Sequence, residues 1–157
     1  MPTLWKRMCC AALLLAALAA LGACGTHETP VMDENALRQA LVGKTWTLRR
    51  IVSRDFADDP ARTIKFNADG TVEGFGGCNA FTGTYTLTDD YLEFGTLTTS
   101  AHKSCGPAED EREYTYMTYL ATVRRINTQT DPGELILLTE SQSEMRFTSG
   151  ASEGLFW

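Results

Sequence analysis

From Thr45 onward apolar and polar residues alternate with a period of two, in short runs broken by turn residues, and this pattern allows little besides an antiparallel sheet. Trp46 and Leu48, with Ile51 as a candidate third, fall on one side of the first run, while Thr45, Thr47 and Arg49 fall on the other. Thr63 to Phe66 and Thr71 to Phe75 flank Asn67-Ala68-Asp69-Gly70, whose Asp-Gly pair supplies the positive backbone angles of a hairpin turn. Phe81 to Leu87 and Tyr91 to Phe94 form a second hairpin around Asp89-Asp90, which sets Tyr85 and Leu87 against Leu92 and Phe94 as core residues. A turn at Asp131-Pro132-Gly133 separates a short strand near Ile126 from Glu134 to Thr139, and Glu144 to Thr148 follows. Between the first run and the first hairpin, Ser53 to Arg62 is a charged connection with no room for a regular element.

Two segments carry helical periodicity instead. Asp33 caps a short helix reaching about Leu41, with Ala36, Leu37, Ala40 and Leu41 on one face and Gly43 ending it. A long helix is expected near Glu109 to Arg124. Pro107 and the acids Glu109, Asp110 and Glu111 open it, and Arg124 and Arg125 suit its negative end. Its apolar face holds Tyr116, Met117, Leu120 and Val123. The expected class is α+β, a small antiparallel sheet or open barrel with one long packed helix, in a domain spanning 33–148.

The N-terminus is of another kind. Lys6 and Arg7 precede a run from Cys9 to Leu21 made only of Cys, Ala and Leu, a basic and then apolar export signal too short for a comfortable membrane span. The run ends in Leu21-Gly22-Ala23-Cys24, which resembles the lipobox of bacterial lipoproteins. The resemblance implies that 1–23 is removed and that Cys24 carries the lipid, with 24–32 as a polar tether. A signal cut elsewhere and an uncleaved anchor are the alternatives. Gly25 follows where the inner-membrane retention signal of enteric bacteria has Asp, so the expected location is the outer membrane, facing the periplasm.

Removing Lys6 and Arg7 leaves 14 − 2 = 12 basic against 20 acidic residues, a net charge of −8. That surface repels phosphate backbones, and nucleic acid is not an expected partner. The cysteines sort by the same cleavage. Cys9 and Cys10 leave, Cys24 is lipidated, and Cys78 and Cys105 remain as a pair in an oxidising compartment.

Several runs now look like a known family. Gly43-Lys-Thr-Trp46-Thr-Leu48, Phe66 ahead of Asp69-Gly70, and Gly74-Phe75-Gly76-Gly77-Cys78-Asn79 leading into Phe81-Thr82-Gly83-Thr84-Tyr85 resemble the META domain, also called the HslJ-like family. The match continues through Leu92-Glu93-Phe94, Cys105, the Glu113 to Leu120 segment, and Leu135 to Thr139, ending at Met145-Arg146-Phe147. Its motif residues here are Gly76, Gly77, Cys78, Asn79, Gly83 and Tyr85. Where the family usually has a Thr-Arg-Met-x-Cys-like run, this chain has Thr99-Ser100-Ala101-His102-Lys103-Ser104-Cys105. Both remaining cysteines stand where the family tends to have them, so a Cys78–Cys105 disulfide is expected. The resemblance also implies a tie to heat-shock and envelope stress and to altered antibiotic resistance, a fold like that of a lipoprotein pilot of type III secretion, and no defining activity or cofactor.

The remaining motifs point away from chemistry. The glycines of 70–83 have strands on both sides and no Lys in place, which is not a phosphate loop, and they suit bends in a small curved sheet. Asn79 is either a polar contact on an exposed turn or a turn former. His102 with Cys78 and Cys105 is the alternative metal set, without the close Cys pairs zinc usually takes. No nucleophile elbow or His-Glu-x-x-His helix is present, so no catalytic set, metal or cofactor is expected. The leading expectation is a non-enzymatic envelope lipoprotein, held to the membrane by its N-terminus, that binds a protein or lipid-like partner or serves under stress. The alternatives are an inhibitor of a basic enzyme such as lysozyme or a protease, a secretion-pilot-like module, and a hydrolase with an unfamiliar site. The tail 149–157, ending Leu155-Phe156-Trp157, is expected to fold back on the domain or meet a partner.

Overall fold

The computed structural model describes residues 33–57, 60–128 and 130–150. The signal segment, Cys24, the tether and the tail beyond Gly150 lie outside them. The described elements run α1 (Glu34–Leu41), β1 (Thr45–Ile51), β2 (Arg54–Asp55), β3 (Thr63–Phe66), β4 (Thr71–Phe75), β5 (Ala80–Thr88) and β6 (Tyr91–Phe94). They continue with β7 (Thr98–Thr99), α2 (Pro107–Ala121), β8 (Val123–Asn127), β9 (Glu134–Thr139) and β10 (Glu144–Ser149).

The sheet is closed, and this corrects the expected class. Eight antiparallel strands follow one another in the order β10-β9-β8-β6-β5-β4-β3-β1, and β10 pairs back onto β1 from Trp46↔Ser149 to Ile51↔Met145. β2 and β7 are short additions beside β1 and β5. The protein is therefore mostly β, an eight-stranded barrel with two extra strands, rather than an α+β sheet or open barrel with a helix laid against it. The physical reason is edge pairing: an open sheet would leave the amides of β1 and β10 bare, and closure pairs both rows. Eight strands enclose an interior that side chains can fill. Leu48, Ile64, Phe66, Leu92, Leu137 and Phe147 fill it, all fully buried, each worth roughly 1.5–3 kcal/mol of transfer free energy.

A bulge explains why Ile51 rather than Arg50 faces inward. The β1–β10 register shifts between Leu48 and Arg50, so Leu48 and Ile51 are both buried while Arg49 and Arg50 are both exposed. In the β5–β6 hairpin Tyr85 pairs with Phe94 and Leu87 with Leu92, as the alternation requires.

The helices close opposite ends of the barrel. At one end Leu37 and Leu41 of α1 are buried, the Trp46 indole donates to the Leu41 carbonyl at 3.0 Å, and Arg38 donates to the Leu87 carbonyl. Asp33 caps α1 through the Ala36 amide at 2.7 Å. At the other end Tyr116 of α2 is fully buried between Phe81 and Phe147 and donates to the Thr63 carbonyl at 3.1 Å. The helix ends three residues before the expected Arg124. Val123, Arg124 and Arg125 belong instead to β8, where Arg125 bonds Asp90 and lies 4.8 Å from the Tyr91 ring centre. Periodicity could not separate the two elements, because Val123 is buried on either reading.

Candidate functional site

The motif residues converge where the β4–β5 connection meets the first turns of α2. Gly76 and Gly77 bring the backbone so close to the helix that a side chain would not fit. A Cβ on Gly76 would sit 2.8 Å from Glu113 Cγ, and one on Gly77, whose φ is +110°, would sit 3.0 Å from an Arg62 nitrogen. Glu113 enters that space and accepts from the Asn79 amide at 2.6 Å and the Asn79 side-chain amide at 2.7 Å. Asn79 is buried and its remaining groups meet Lys103: its side-chain nitrogen donates to the Lys103 carbonyl at 3.1 Å and its oxygen accepts from the Lys103 amide at 3.0 Å.

Cys78 and Cys105 are bonded as a disulfide, with Cα atoms 5.8 Å apart, which ties this loop to the segment entering α2. That segment is held again by Asp110, which accepts from the Ser104 hydroxyl and the Cys105 amide. These bonds hold its exposed carboxyl below the usual carboxylate range, the Ser104 hydroxyl most of all. Gly83 and Tyr85 have other tasks. Thr96 and Leu97 cross over Gly83, where a Cβ would meet Leu97 at 2.7 Å. Tyr85 is buried edge-on against Phe66, its hydroxyl donates to the Asn67 carbonyl at 2.8 Å, and burial pushes its pKa up.

Beneath the same loop lies a set of residues that the sequence did not reveal. Arg62 is fully buried, pairs with Glu109 of α2, and stacks on Phe56 with its guanidinium 5.3 Å from the ring centre. Arg112 approaches that ring at 4.6 Å and Arg54 at 5.6 Å. Phe56 is fully buried although it follows directly on β2, in the stretch read as a plain charged connection. The one available signal was a lone aromatic among acids and arginines. His102 is exposed, with its ring Nδ1 3.5 Å from the Thr99 hydroxyl. No group of His, Cys, Asp and Glu able to hold a metal occurs among the described residues. None of the described helices is long and apolar enough to cross a membrane.

A second feature lies on the outer barrel wall, where Arg49, Arg50, Arg146, Glu134 and Glu144 line an open cleft of about 510 Å³ bounded by Val52, Asp55 and Ala57.

The model of the META domain family matches residues 39–152. A protein from Burkholderia xenovorans solved by NMR is similar in fold, with a TM-score of 0.59 at 23% identity, over 78% of this chain and 92% of that one. A second NMR structure matches with a TM-score of 0.58 at 18% identity, over 74% of this chain and 97% of the other. A DUF4847 family protein from Bacteroides vulgatus matches with a TM-score of 0.50 at 16% identity, over 71% and 96%. No curated protein matches. Identities this low speak for the fold alone, but the family model spans the whole barrel, all of α2 and the last turn of α1. The chain belongs to the META domain family.

Proposed function

We propose that this protein is a lipid-anchored envelope component whose META barrel works as a non-enzymatic binding module for another envelope protein. Cys24 carries the lipid, the tether spaces the barrel from the outer membrane, and the domain faces the periplasm. The observation that supports the binding role is how the motif is used. All polar atoms of the Asn79 side chain are engaged by Glu113 and Lys103, and the cysteines beside it are joined to each other. A motif engaged in this way builds a rigid platform and leaves recognition to the outer wall.

The test is photo-crosslinking in intact cells from three exposed positions, Val52 at the cleft, Thr86 on the barrel wall away from it and Tyr114 on α2. The reading expects one envelope protein captured from one position and not from the other two. A lysozyme or protease as the captured species would turn the reading into inhibition. No capture from any position, with the protein present at normal abundance, would contradict it.

A further inference from the structure

The bulge in β1 has an electrostatic result. By turning both Arg49 and Arg50 outward it places two guanidinium groups side by side, and the register sets Arg146 of β10 directly opposite Arg50. Like charges in opposed positions destabilise a sheet, and this chain is otherwise acidic. Arg146 is offset by Glu144 at 2.7 Å and Glu134 at 3.3 Å, which together raise its pKa, the Glu144 hydrogen bond most of all. Arg49 donates to the Thr148 hydroxyl at 2.8 Å, a neutral partner. Arg50 makes no ion pair and no side-chain hydrogen bond among the described residues, although Asp55 faces it on β2. The Asp55 carboxylate is turned to the Ala57 amide at 2.9 Å.

We propose that this cleft is a docking site for an acidic side chain of a partner protein, held by Arg50 with Arg49 beside it. A guanidinium fork matches the two oxygens of a carboxylate, and the cleft is large enough for a short extended peptide. The same walls disfavour a membrane. Glu134 and Glu144 also line the cleft, and a chain this acidic repels a dense array of anionic headgroups, whereas a single peptide carboxylate can pair with Arg50 while Glu134 and Glu144 stay paired with Arg146. The proposal rests on the binding-module reading and names its recognition surface.

The test titrates full-length ¹⁵N-labelled protein with a blocked five-residue peptide of alternating glycine and glutamate, and with its glutamine counterpart. The expected result is saturable movement of the Arg49 and Arg50 side-chain Nε signals with the glutamate peptide only. Arg50→Glu should weaken the binding about tenfold or more, the range of a charge-assisted hydrogen bond, and Arg50→Lys should fall between. Arg50 is exposed, so both variants should fold, with Arg50→Glu melting no lower than the wild type because it relieves the opposition to Arg146, and Arg50→Gln serves if the charge reversal disturbs folding. Three results would overturn the site: equal response to the glutamine peptide, unchanged affinity in Arg50→Glu, or preferential binding of inorganic phosphate or phosphatidylglycerol vesicles at these arginines. Cell crosslinks persisting from Thr86 or Tyr114 while the peptide fails would remove the cleft alone. Their absence from every position would remove the underlying reading.

Discussion

Glu113 and Asn79, 34 residues apart, are joined by two hydrogen bonds, one to the Asn79 backbone amide and one to its side-chain amide. The pair fixes α2 over one end of the barrel. Glu113→Ala strands both donors in a part-buried site and should cost about 1–3 kcal/mol of unfolding free energy. Glu113→Gln, which keeps one acceptor oxygen, should cost less. Denaturant unfolding of the three proteins checks the order.

Arg62 and Glu109 lead to an asymmetric prediction. Glu109 accepts a charge-assisted hydrogen bond from a fully buried guanidinium, so Glu109→Ala should destabilise by about 1.5–3 kcal/mol. Glu111 also pairs with an arginine, Arg54 at 3.2 Å, but both side chains are exposed, at 66% and 46%, and Glu111→Ala should cost less than about 1 kcal/mol. Equal effects in denaturant melts would contradict the burial of Arg62.

The disulfide closes a loop of 28 residues counting both ends, for which the chain-entropy account gives about 3.5 kcal/mol. Cys105→Ser should lower the melting temperature under oxidising conditions and leave it unchanged relative to wild type under reducing ones. Mass spectrometry of the unreduced wild type should show the loss of two hydrogens.

Acid should weaken the fold through three exposed carboxyls held below their ordinary range. They are Asp110 by the Ser104 hydroxyl, Asp69 by the Thr71 hydroxyl, and Glu34 chiefly by the Asp89 amide. Because the folded values are depressed, their contribution is present above the unfolded values of about 4 and is lost as the pH falls through the folded ones. Stability should fall as the pH drops below about 4, and Asp110→Asn should flatten that fall.

The alternation and turn chemistry carried most of the strand pattern, down to the pairing of Tyr85 with Phe94. Closure did not show, because the pairing of β1 with β10 joins segments about a hundred residues apart and no local signal says which strand completes a sheet. The end of α2 was misplaced for a related reason, since Val123 suits the core from a helix or a strand. The Gly-Cys-Asn run was visible as a motif, yet nothing in the sequence linked it to Glu109 at the start of the helix, to Glu113 one turn on, or to Arg62 at the end of the charged connection. Burial of an arginine depends on which carboxylate the fold brings to it, and sequence spacing does not encode that.

The proposed function stands first on lipidation of Cys24, which would place the barrel at a membrane and Cys78 and Cys105 in an oxidising compartment. Metabolic labelling of cells with an alkyne palmitate analogue tests it directly. The account predicts label on the wild-type protein and none on Cys24→Ser, with the labelled form in the outer-membrane fraction. Label persisting on the serine variant, or an unlabelled wild type released as a free soluble protein, would contradict it.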